Sequence, residues 1–93
     1  MKMTHVIVEG HVQGVFFRSY TERQASLLNL NGWVRNIGNG TVEAMFAGAD
    51  KDVAAMLEWL KIGSPGSRVD NLRVETVDSD EKVTSFEVRY NHH

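Results

Sequence analysis

Cysteine is missing from the 93-residue chain. That excludes a disulfide-stapled scaffold, a zinc–thiolate centre and an enzyme with a cysteine nucleophile. A strong charge of either sign is missing too: the formal net charge is −2, which offers no basic surface to a nucleic-acid backbone. No apolar run is long enough to span a bilayer and no signal-peptide core is present, so a soluble, cytoplasmic protein with no membrane partner is expected. Repeats, low-complexity tracts and an interdomain linker are absent as well. Proline occurs once, as Pro65 in the turn-rich connection Ser64-Pro65-Gly66-Ser67. With 42% hydrophobic residues, the chain has enough for one small core. A single domain over 1–93 is expected, with loose ends at 1–3 and 91–93, and a monomer.

Patterning then picks out one segment. Thr4 to His11 alternates, with Val6 and Val8 on one side and His5, Ile7 and Glu9 on the other, which predicts a strand with one partly covered face. The chain continues through Gly10-His11-Val12-Gln13-Gly14-Val15-Phe16-Phe17-Arg18 into Ser19 to Leu28. That stretch reads as a helix, with Phe17, Thr21, Ala25 and Leu28 along one stripe and Asn29 as a left-handed stop. A loop that leaves a strand and opens a helix presents backbone N–H groups at the positive end of the helix dipole. Gly14 permits a tight turn and a close approach to a ligand. Arg18 sets a cation where the dipole alone disfavours one, a conflict that an anion between them resolves. The segment reads as an oxyanion cradle, with phosphate the foremost candidate. Its glycine spacing fits neither a Walker A loop nor a dinucleotide fingerprint.

Further along, Gly32 to Ile37 predicts a second strand with Val34 and Asn36 facing one way and Trp33, Arg35 and Ile37 the other. Gly38-Asn39-Gly40 signals a tight hairpin, and Thr41 to Ala47 a third strand with Val42, Ala44 and Phe46 on one face. Asp50 is expected to cap a second helix with Val53, Met56, Leu57 and Leu60 inward and Gly63 as its stop. A fourth strand is expected over Leu72 to Val77. A last one, Ser85 to Tyr90, has Phe86, Val88 and Tyr90 facing alike. The order β-α-β-β-α-β plus a short terminal strand is an α+β, ferredoxin-like split βαβ, with two helices on one face of an antiparallel sheet. A right-handed crossover makes the first and second strands parallel. Arg18, opening the first helix, and Asn36, near the end of the second strand, are therefore expected at one edge of the domain, beside a row of free N–H groups.

Two segments together resemble signatures of the acylphosphatase family. Gly10-His-Val-Gln-Gly-Val-Phe-Phe-Arg18 is similar to the first, and Gly32-Trp-Val-Arg-Asn36, followed by Gly40, Val42 and Gly48, to the second. The resemblance extends to the Gly63-Ser-Pro region and to Phe86-Glu-Val-Arg-Tyr90. It implies hydrolysis of an acyl phosphate to a carboxylate and inorganic phosphate, with no metal and no cofactor. It implies phosphate binding by Arg18 and the backbone of Gln13, Gly14, Val15, Phe16 and Phe17, and a water oriented by Asn36. Family members often stop near the position of Tyr90, whereas this chain adds Asn91, His92 and His93.

The remaining candidates have plainer readings. No carboxylate cluster at ligand spacing accompanies His5, His11 or the terminal histidines, so a metal site is not expected. Ser19 and Thr21 lack a neighbouring base, and Thr21 falls on the buried stripe. Trp33, Trp59 and the methionines read as packing residues, and Arg35 as a surface group. The same strand order serves RNA-recognition modules, but the first strand offers only aliphatics and histidine for base stacking. A non-catalytic anion-sensing regulatory module is the stronger rival, since its cradle would look the same.

Overall fold

The computed structural model describes residues 2–90. In chain order the elements are β1 (Lys2–His11), α1 (Phe17–Leu27), β2 (Asn31–Asn36), β3 (Val42–Ala47), α2 (Asp50–Ile62), β4 (Arg68–Asp78) and β5 (Phe86–Arg89). The strands form one five-stranded sheet in the order β4-β1-β3-β2-β5. Both β1 and β2 pair antiparallel with β3 and so run parallel to each other, as the crossover through α1 requires.

Alternation explains the core. Val6, Val8, Val34, Val42, Ala44 and Phe46 from the sheet are fully buried against Phe17, Ala25, Met56 and Leu60 of the helices. Asn29, with φ 58°, turns the chain out of α1 as the left-handed residue expected there. The opposite face of the sheet carries polar pairs. Glu43 lies 2.7 Å from His5 Nε2 and accepts from Arg35 Nε at 2.6 Å. Burial alone would raise its carboxyl, but the bonds from His5 and Arg35 outweigh that and hold it below its ordinary value. Glu81 accepts from Arg89 at 2.6 Å and from the Trp33 indole at 3.0 Å.

Several sequence expectations are corrected. The sheet is mixed, because β5 pairs parallel with β2. Residues 79–85 carry the chain from one sheet edge to the other, where the Asn31 amide donates to the Val83 carbonyl (3.3 Å) and the Gly32 N–H to the Ser85 carbonyl (3.0 Å). Lys2 and Met3 are not a loose end but begin β1, with Met3 buried. The α1 helix starts two residues earlier than Ser19, at Phe17. Asp50 does not cap α2: Ala49 holds the cap position, and Asp50 and Asp52 serve the first turn by their charge at the positive end of the dipole. β4 starts at Arg68 rather than Leu72, because Arg68 and Val69 pair with His11 and Gly10 across a bulge at Glu9/Gly10. A Cβ on Gly10 would meet the Arg68 carbonyl oxygen at 2.1 Å, so only glycine admits that approach. Residues 91–93, expected as the other loose end, lie outside the described residues.

Candidate active site

The loop between β1 and α1 is pinned at three residues. Val12 and Phe17 are buried, Val15 packs against the core, and Phe17 lies on Trp59 with ring centroids 6.0 Å apart. Gly14, Phe16 and Arg18, with the buried Val12 and Phe17, line an open cavity of about 220 Å³. Gly14 (φ 76°) and Phe16 (φ 58°) are both left-handed, which bends the chain sharply into the helix. The first helical hydrogen bond is Tyr20 N–H to the Phe16 carbonyl, 3.1 Å. The N–H groups of Phe17, Arg18 and Ser19 therefore have no partner inside α1. No side chain caps this end, and no acidic residue occupies its first turn. The positive end of the helix is thus left unopposed, beside the cavity.

Asn36 closes the cavity from the other side. It is the last residue of β2, on the face shared with fully buried Val34, and it lines the same cavity as Arg18. Arg18 and Asn36, which sequence reasoning placed at one edge, thus line one cavity. Arg35, one residue earlier, turns to the opposite face and pairs with Glu43. Gln13 does not line the cavity. Its side-chain amide instead donates to the carbonyls of Ile37 (3.0 Å) and Thr41 (2.8 Å), tying the loop to the turn that follows Asn36. Val15 does not line it either; its carbonyl accepts from the Ser64 hydroxyl at 3.4 Å. Thr21 is fully buried and donates to the Phe17 carbonyl at 2.8 Å, a structural bond within the helix.

Sequence reasoning missed Tyr90, which lines the cavity together with Val12, Ser19 and Val88. Pairing of β5 with β2 in the register Arg35↔Arg89 brings it beside Asn36, and its ring lies 4.8 Å from the Arg18 guanidinium carbon. The ring gives the guanidinium a flat, apolar wall without neutralising it. No Asp or Glu lines the cavity, and among the described residues no carboxylate lies within ion-pair distance of Arg18. No group of three or more His, Asp or Glu able to hold a metal occurs among the described residues. The arrangement can hold a tetrahedral anion between a guanidinium, a helix N-terminus and a carboxamide.

A family model described as acylphosphatase matches residues 4–88. The chain belongs to the acylphosphatase family. It is 48% identical over 86 residues to an acylphosphatase of Haloarcula marismortui, covering 92% of this chain and 93% of that one. The solved acylphosphatase of Bacillus subtilis superposes with a TM-score of 0.91 at 36% identity, over 97% of this chain and 100% of that one. An acylphosphatase of Coxiella burnetii gives 0.88 at 38% identity, over 95% and 92%. The mixed sheet with two helices is therefore an acylphosphatase fold throughout. Among the described residues no helix is long and apolar enough to cross a membrane.

Proposed function

We propose that this chain hydrolyses acyl phosphates to a carboxylate and inorganic phosphate without a metal, with Arg18 and the amides of the 13–18 loop that reach the cavity holding the phosphoryl group and Asn36 orienting the attacking water. The observation that carries this reading is the convergence of Arg18, Asn36 and the start of α1 on one cavity.

The chemistry fits this set of groups. A carboxylate leaving group has a conjugate-acid pKa of about 4–5, so no proton need be delivered as it departs. The transition state is loose, with charge spread over the equatorial oxygens, so positioning and electrostatics supply most of the acceleration. Arg18 offers two parallel donors to those oxygens, and the helix start offers preorganised N–H groups. Asn36 is too weak a base to take a proton in the ground state. Its carboxamide hydrogen-bonds the water and fixes the line of approach. Tyr90, lying on the guanidinium, restricts its swing and so keeps the donor pair aimed at the cavity.

Steady-state hydrolysis of acetyl and benzoyl phosphate in the presence of a chelator, with an alkyl phosphate as control, tests the reading. Turnover that survives the chelator, with the alkyl ester nearly inert, supports it. Phosphate binding without turnover would assign the cradle to an anion sensor instead.

A further inference from the structure

Phe16 is placed where a bulky side chain is doubly unfavourable. Its backbone is left-handed (φ 58°, ψ 24°), and its side chain is 78% exposed. Elsewhere among the described residues the positive-φ positions are glycine or asparagine: Asn29 and Asn39 are the other non-glycine cases. Those residue types adopt this conformation with little strain, whereas a phenylalanine there is an outlier. The ring also adds nothing to the core, since Phe16 is not part of the buried cluster. The turn needs the backbone conformation, and glycine would supply it. The side chain therefore needs a separate reason.

The residue's place in the fold supplies one. Phe16 lines the same cavity as Arg18, and so does Tyr90, which is 61% exposed. In an in-line displacement the leaving oxygen lies on the far side of phosphorus from the attacking water. The inner wall of the cavity is made of buried residues such as Val12 and Phe17, so the acyl group has to project outward past the rim. Resting on the proposed hydrolysis, we infer that Phe16 is a specificity-determining residue that contacts the acyl group and favours aryl or broad apolar acyl phosphates over small ones. A rigid aromatic side chain at the mouth gives an apolar contact at low entropic cost, while the phosphoryl group is fixed below by Arg18.

The test compares kcat/KM for benzoyl and acetyl phosphate in the wild type, Phe16→Gly and Phe16→Tyr. Phe16→Gly suits the left-handed backbone, and a melting curve verifies that it folds. The benzoyl-to-acetyl ratio is expected to fall about tenfold in Phe16→Gly and to be retained in Phe16→Tyr. An equal loss on both substrates leaves the ratio unchanged and overturns the specificity role, while the hydrolase reading stands. A wild type that turns over neither substrate removes the reading and the inference together.

Discussion

Replacing Gln13 by alanine probes how the two halves of the site are held in register. The side-chain amide donates to the Ile37 carbonyl at 3.0 Å and to the Thr41 carbonyl at 2.8 Å. Each such bond contributes about 1 kcal/mol net. The Thr41 carbonyl keeps the Ile37 N–H at 3.0 Å, so the larger penalty falls on the Ile37 carbonyl. A loss of about 2 kcal/mol follows, and for a domain of this size that lowers Tm by about 8–16 °C. The kinetic effect has a direction of its own. Arg18 and the loop amides travel together, so phosphate affinity should change little. Asn36 belongs to the strand end that Gln13 ties to the loop, and a misplacement of about 1 Å costs about 100-fold in rate. Calorimetry of inorganic phosphate binding, with kcat on benzoyl phosphate, separates the two. Gln13→Glu should be worse at neutral pH, because it points a carboxylate at two carbonyl oxygens. An alanine variant with wild-type Tm and kcat would refute the tie, as would one that loses phosphate affinity at an unchanged rate.

Arg18→Gln should lower kcat/KM by well over the ~2.7–4 kcal/mol typical of losing one oxyanion donor, since charge is removed as well; a loss below tenfold would point to another phosphate ligand. Glu43 has a lowered carboxyl pKa in the fold, so its pairs with His5 and Arg35 stabilise the protein above its ordinary value of 4.5 and are lost as pH falls through the lowered value. Glu43→Gln should therefore reduce Tm near pH 7, with the difference from wild type shrinking well below pH 4.5, in melting curves across that range.

Arg18 and Asn36 were legible because topology alone brings them together. A strand–loop–helix with its apolar stripe, a parallel second strand and the alternation Val34/Asn36 suffice to set both at one edge. Tyr90 was harder. Its facing, alike with Phe86 and Val88, was readable, but its neighbour was not, because β5 joins β2 after crossing from the other edge of the sheet. The start of β4 was hidden for a different reason: Arg68, Asp70 and Asn71 stand exposed on an edge strand, so no apolar alternation marks them. Gln13 was expected to act through its backbone, and its side-chain bonds across to Ile37 and Thr41 leave no local signal. The left-handed turn at Phe16 ran against residue preference, so sequence reasoning had no means of anticipating it.

The division of labour between Arg18 and Asn36 is tested most directly by Asn36→Ala, titrated with inorganic phosphate and assayed on benzoyl phosphate in parallel. Phosphate affinity close to wild type with most turnover abolished is expected. A variant that loses phosphate affinity while retaining its rate would contradict it.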